Sequence, residues 1–375
     1  MTTELIPGLA GVPAAASKIA DINGNEGKLY YRGYLIEDLA EHTTFEETSY
    51  LLLYGELPTA AQLAAFDAKL RQHRRIKYKI IDVLKAMPEG GHPMEALQAA
   101  VAAMGMFYPA RDVMDPKVQE ESVIRLIAKV PTIIAAFHRV RHGDEAIQPR
   151  DDLAHAANFL YMLTGAEPDP VMTKTLDVCL VLHAEHSMNA STFAARVVGS
   201  TMANPYSVIS SAVGALSGPL HGGANEEVLV MLDEIGTLDK TDAYIFGKVE
   251  RKEKIMGLGH RVYKAKDPRA TIMQHLAEKL FEHLGVDARY EVAKRIETIT
   301  FEKLAPKGIY PNVDFYSGIL YAKLGIQPDL FTPIFAIARV AGWLAHWLEQ
   351  LENNRIFRPD QVYTGHAPRT FPTAR

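Results

Sequence analysis

The chain has 375 residues, 48% hydrophobic and 23% charged, with a formal net charge of -5 and a single cysteine. That length is more than one hydrophobic core sustains, so two domains, or a large domain with a smaller one attached, are expected. The acidic balance excludes a general nucleic-acid binder, and any anionic ligand must be met by a local cluster of cations. One cysteine, Cys179, excludes a disulfide within the chain; set in the apolar run 176–182 it reads as buried filler and fits a reducing compartment. The opening MTTELIPGLAGVPAAAS carries neither a basic-then-apolar leader nor an Arg-rich amphipathic pattern, so the expected location is the cytoplasm.

In chain order, the one clear β signal is a hairpin whose arms, 18–22 and 28–31, flank the turn-forming Asn-Gly-Asn-Glu-Gly. After it, apolar residues recur at three- and four-residue spacing. This predicts helices over 45–53, 60–70, 94–106, 123–141, 153–163, 171–186, 207–216, 226–233, 270–284, 314–324 and 333–351. The fold class is therefore all-α with a short N-terminal β-hairpin. Helices between 171 and 216 are rich in Ala, Ser, Gly and Thr on several faces, which predicts burial in the heart of a large domain or at an interface with a second copy. The window 330–348 is long and apolar enough to test as a membrane span, but Pro333, Arg339 and His346 inside it favour a buried helix of a soluble protein. The basic run RQHRRIKYK, 71–79, reads as a solvated helix face or subunit contact.

Several polar residues stand where plain packing does not call for them. In GLGHRVYKAKDPRA, 257–270, Gly257 and Gly259 present His260 on a pliable loop. Asp267-Pro268 there signals a helix start, which places Arg269 in the first turn. Such a loop aims an imidazole and a guanidinium together, a pairing suited to a carboxylate or phosphate; the plainer alternative is a surface loop of solvated cations. His221 lies in the glycine-rich turn LSGPLHGGANEE before a helix start, where a positive helix end disfavours imidazolium. A neutral imidazole there can donate to a developing oxyanion, although a lone turn histidine is commonly bonded to backbone. Asp314 opens a helix and on its own would pass as an N-cap. Arg339 sits among Phe335, Ile337, Ala338 and Val340 with no acid one turn away, so it needs a distant carboxylate or a bound one. His183 and His186, three apart on one predicted helical face, lack a third partner for zinc and read better as core histidines.

Taken in order, His186 in LHAEHSMNAST, His221 in GPLHGGANEEV, the GLGHRVYKAKDPR block, Asp314 in PNVDFYSG, and Arg339 and Arg358 in FAIARVAGWLAHWLEQ and NNRIFRPDQVYTG resemble the citrate synthase family over nearly the whole chain. The short N-terminus matches the compact bacterial, cyanobacterial-like form. Leu258 departs from the family pattern, since many members carry an aromatic residue between the two glycines. The resemblance implies condensation of oxaloacetate with acetyl-CoA and hydrolysis of the citryl thioester, with no metal and no redox cofactor. It implies that Asp314 removes a methyl proton, His221 bonds the thioester oxygen, and His260 polarises the ketone. His186, Arg269 and Arg339 would hold the carboxylates of oxaloacetate, together with Arg358 from the second subunit of a homodimer. Met256, Gly257, Gly259 and Lys264, with Lys266 nearby, would face acyl-CoA. A small domain, 223–325, would be inserted into a large one formed by 1–222 and 326–375. A 2-methylcitrate synthase using propionyl-CoA shares the same catalytic set, although GHRVYK favours citrate synthase; a catalytically silent structural relative is the remaining alternative.

Overall fold

The structure, a computed structural model, describes residues 5–259 and 262–371. Three short antiparallel strands open it: β1 (Ala20–Asn23), β2 (Lys28–Tyr31) and β3 (Tyr34–Leu35), with Ala20 opposite Tyr31 and Asn23 opposite Lys28. The expected hairpin is present, but its first strand begins at Ala20 and a third strand follows. A tight reversal joins β2 to β3 through Arg32 and Gly33, both at positive φ (50° and 90°).

Sixteen α-helices follow among the described residues. The first eight are α1 (Ile36–His42), α2 (Phe45–Tyr54), α3 (Ala60–His73), α4 (Tyr78–Lys85), α5 (Pro93–Phe107), α6 (Pro116–Val140), α7 (His155–Thr164) and α8 (Pro170–His183). The rest are α9 (Ala190–Ser200), α10 (Pro205–Leu216), α11 (Ala224–Ile235), α12 (Leu238–Glu250), α13 (Pro268–Leu284), α14 (Ala288–Ile299), α15 (Val313–Lys323) and α16 (Phe331–Glu352). One device recurs at their starts: an Asp or Asn caps the first turn and proline follows, at Asp115-Pro116, Asp169-Pro170, Asn204-Pro205 and Asp267-Pro268. Proline there loses no helical hydrogen bond and arrives with helical φ already set. Capping boxes at Thr44/Glu47 and Thr59/Gln62 start α2 and α3.

Helix α16 is the centre of the molecule. Trp343 and Trp347 are fully buried, and the helix packs against α2, α6, α8, α9 and α10. Its apolar length comes from being surrounded by protein, and no helix among the described residues is long and apolar enough to cross a membrane. Helices α9 and α10 pack closely on one another, yet Phe193, Val197, Ser211 and Gly214 stay half-buried in the single chain. Helices α11 to α15 pack chiefly among themselves, α11 and α13 on α15 and α12 on α14; α13 reaches α1 and α8, and α11 touches α16.

Two expectations need correction. Helix α8 ends at His183, and the chain turns through Ser187 at φ 51°, so His183 and His186 do not share a helical face. The 71–79 run is not simply a solvated face: Arg74 is buried and donates to the carbonyls of Arg150 and Leu153, while Arg71 and Arg75 pair with Asp67 and Asp151.

Candidate active site

Asp314 is in the first turn of α15 without being its cap. Asn312 takes that role, its Oδ1 accepting the Asp314 backbone N–H at 3.0 Å, which leaves the Asp314 carboxyl for other work. The residue keeps some exposed surface, but its Oδ1 is sealed from solvent and has no hydrogen-bond partner among the described residues. Burial pushes its pKa up from 3.8 to about 6, against the opposing pull of the Arg269 and Arg339 guanidinia. The result is a stronger base than an ordinary carboxylate, with one of its oxygens held out of bulk water. Asn312 also donates through Nδ2 to the Gly259 carbonyl at 2.8 Å, and Gly259 N–H donates to Tyr310 O at 2.7 Å. The start of α15 and the glycine loop are thereby one unit.

His221 lies beyond α10, its backbone N–H bonded to Gly218 O. The Ser191 backbone N–H, at the second position of α9, donates to His221 Nε2 at 3.3 Å, and Ser191 Oγ lies 2.8 Å from the same nitrogen. A proton on Nε2 would confront that amide N–H with a second donor, so the ring proton belongs on Nδ1. Burial, reinforced by Arg339, holds the imidazole down to about pKa 4, so it is neutral at physiological pH. From the sequence, the helix after His221 is the expected source of the positive end that disfavours imidazolium. The helix end that touches the ring is instead that of α9, contributed from thirty residues upstream. Nothing in the sequence marks Ser191. It is fully buried and accepts from Trp343 Nε1 at 3.1 Å, which ties the His221 contact to central helix α16; its one hydroxyl proton lies between His221 Nε2 and the cap Asn189 Oδ1, 2.8 and 2.7 Å from Oγ.

Arg339 is buried in α16, donates through Nε to His183 O at 2.7 Å, and stacks its guanidinium 4.6 Å from the Phe335 ring centre. Burial lowers its pKa to about 10, opposed first by the charge of Glu185. Its own charge is felt at both His221 and Asp314, which places these groups around one region. Arg269 is likewise buried, but two of its donors are engaged by Asp267, Nε to Oδ1 at 3.0 Å and a terminal nitrogen to Oδ2 at 2.7 Å. The acid that caps α13 thus also aims the arginine two residues on. His186 is buried with Nε2 3.3 Å from the Tyr263 hydroxyl. His183 donates through Nδ1 to Cys179 O at 2.8 Å, and burial holds it near pKa 3, a neutral core histidine.

His260 lies outside the described residues. Of the loop before it, Met256 is half-buried and Gly257 has φ 75°, where a Cβ would lie 2.9 Å from both Phe315 Cδ2 and Val228 Cγ2. No larger residue fits there. Leu258, at the position where an aromatic residue is common, is buried and bridges to Pro311. Lys264 is exposed, whereas Lys266 is paired with Glu297 at 2.7 Å. Arg358 stands at the surface, its side chain 83% exposed and 4.0 Å from Asp360, in the extended segment after α16; it does not join the buried cluster of its own chain. Among the described residues no group of three His, Cys, Asp or Glu is arranged to hold a metal ion.

An enclosed carboxylate, a neutral imidazole with its free N–H fixed, and two buried guanidinia in a helical scaffold describe an enzyme that acts on a carbon acid beside an anionic substrate. The chain belongs to the citrate synthase family: residues 8–360 match the family described as "Citrate synthase, C-terminal domain". It is 58% identical to the citrate synthase of Synechocystis sp. over 96% of this chain and 90% of that one, and 53% identical to that of Acidithiobacillus ferridurans over 97% and 96%. In structure it is similar to citrate synthase from Pyrobaculum aerophilum (TM-score 0.91, 42% identity, covering 98% of this chain and 95% of that one). It is also similar to the Thermoplasma acidophilum enzyme solved as a ternary complex with carboxymethyl coenzyme A and oxaloacetate (TM-score 0.93, 34% identity, covering 99% and 98%).

Proposed function

We propose that this chain condenses acetyl-CoA with oxaloacetate and hydrolyses the resulting citryl thioester to citrate and CoA. The observation that carries the proposal is an Asp314 with one carboxylate oxygen sealed from solvent beside a neutral His221 whose Nε2 is occupied by the Ser191 amide. A thioester methyl is a very weak acid, and a carboxylate can remove its proton only if the oxygen that gains charge is stabilised at once. Asp314 takes the methyl proton, and His221 Nδ1–H donates to the thioester oxygen as the enol or enolate forms. The nucleophilic carbon then adds to the ketone of oxaloacetate, whose oxygen receives a proton from His260. Water finally cleaves the carbon–sulfur bond and CoA leaves with the proton.

His186, Arg269 and Arg339 hold the carboxylates of oxaloacetate in this scheme, and Arg358 completes the set from a second copy. The exposure of Arg358 in its own chain and the half-buried faces of α9 and α10 support a homodimer with shared sites. Met256, Gly257, Gly259 and Lys264 face the acyl-CoA, which is a co-substrate; the scheme calls for no cofactor. The segment 223–325 acts as a small domain that shuts out water against the rest of the chain, a reading supported by the mutual packing of α11 to α15. The enzyme would serve the tricarboxylic acid cycle in the cytoplasm.

CoA release from acetyl-CoA and from propionyl-CoA, each with oxaloacetate, tests the reading. A higher kcat/KM for acetyl-CoA is expected. A higher value for propionyl-CoA makes the chain a 2-methylcitrate synthase, and silence with both in a folded dimer leaves a structural relative.

A further inference from the structure

We infer that the N-terminal β-hairpin is a clamp that holds the two walls of the candidate site in register, and that Gly24 is a positioning residue for the reaction. The inference rests on the reading of the site given above. At one end of the hairpin, the turn between β1 and β2 is pressed against the segment 262–266. The Gly24 carbonyl accepts the Lys264 N–H at 2.9 Å. A Cβ on Gly24 would fall on the Val262 carbonyl oxygen, well inside van der Waals contact; one on Gly27 would lie 2.8 Å from the Lys266 carbonyl oxygen and 3.3 Å from Ala265 Cβ. The two glycines thus bracket the segment and leave no room for a side chain at either end.

That segment carries Tyr263, whose hydroxyl lies 3.3 Å from His186 Nε2, and runs directly into Asp267 and Arg269. At the other end of the hairpin, the last residue of β2, Tyr31, is fully buried. Its hydroxyl accepts the Glu185 N–H at 3.1 Å and donates to Glu185 O at 2.7 Å, fixing the backbone beside His186. One short ribbon therefore grips the wall that carries Arg269 with its turn and the wall that carries His186 with its terminal tyrosine. A misplacement of either by a fraction of an ångström degrades a site that must hold a dicarboxylate in a reactive pose.

The glycines offer a clean test. Gly24 is outside the left-handed region, so Gly24→Ala is compatible with the hairpin itself and collides only with the 262–266 segment; Gly27 has φ 65°, which Asn tolerates, so Gly27→Asn is the second variant. For each, kcat/KM for oxaloacetate should fall by about tenfold or more, while the thermal midpoint without ligand stays near the parent's. The midpoint rise produced by oxaloacetate should shrink. Trypsin cleavage after Lys264, followed by mass spectrometry, should accelerate in both variants. Folded variants that keep the parent's kcat/KM and cleavage rate overturn the clamp. Loss of folding in both variants also counts against it, since the contact would then serve folding rather than positioning. Should the parent itself release no CoA, the functional reading fails, while the cleavage comparison still decides the clamp.

Discussion

Replacing Asp314 by Asn should produce a protein that is both nearly inactive and more stable. The native state holds the Asp314 proton more tightly than the unfolded chain does, because burial raises its pKa from 3.8 to about 6. Stability therefore falls as pH rises through that interval, and above it the full penalty of an ionised, enclosed carboxylate is present. The rise corresponds to about 3 kcal/mol at neutral pH and above. Asparagine keeps the shape and removes the charge, so Asp314→Asn should recover up to about 3 kcal/mol at pH 8 and almost nothing near pH 4. Urea denaturation of parent and variant at those two pH values, without substrate, measures the difference. At the same time kcat should drop by about three orders of magnitude with oxaloacetate binding largely retained, since the base does not hold that substrate. In the parent, kcat/KM should lose about a decade per pH unit below about pH 6, as the base becomes protonated. A variant less stable than the parent at pH 8 would refute the account, because the carboxylate would then be a structural anchor and not a group held ionised at a cost.

Other consequences are as direct. His221→Ala should lower kcat by about 10² to 10³, the usual loss for an oxyanion donor; because burial holds the ring near pKa 4, the parent's profile should show no histidine titration from this residue between pH 5 and 7. Arg358→Ala should raise the KM for oxaloacetate. If the arginine acts across a dimer, mixing subunits of Arg358→Ala with subunits of Asp314→Asn should restore activity, because a hybrid holds one site with both residues intact; a mixture no more active than the sum of its parts would place Arg358 outside the shared site.

Much of the architecture is readable from local patterns. Long, largely apolar segments such as α6 and α16, and the Asp-Pro start of α13, announce themselves because hydrophobic patterning and capping act over a few neighbouring residues. Helices α1, α4, α9, α12 and α14 are not delimited by the periodicity. Of these, α1 and α4 are only seven and eight residues long, and α14 spreads Arg289, Glu291, Lys294, Arg295 and Glu297 around its circumference, which breaks up any apolar stripe. They are helical because neighbours cover their few apolar residues, as Ile36 and Leu39 of α1 are covered by α8 and α13.

The residue types proposed to carry the chemistry are legible for a similar reason. An arginine in an apolar helix or a histidine between glycines is conspicuous wherever it lies, and the ordered set of such positions points to one family. Sequence alone does not show what those residues are bonded to. Asn312, not Asp314, caps α15, so the aspartate carboxyl is not taken up as the cap. Ser191 sets the tautomer of His221 from thirty residues away, Asp267 engages two donors of Arg269, and Lys266 is paired with Glu297. Local sequence determines dihedral preference, periodicity and charge. Protonation state, tautomer and the direction a guanidinium points depend on burial and on partners distant in the chain, and only the packed tertiary structure brings those together.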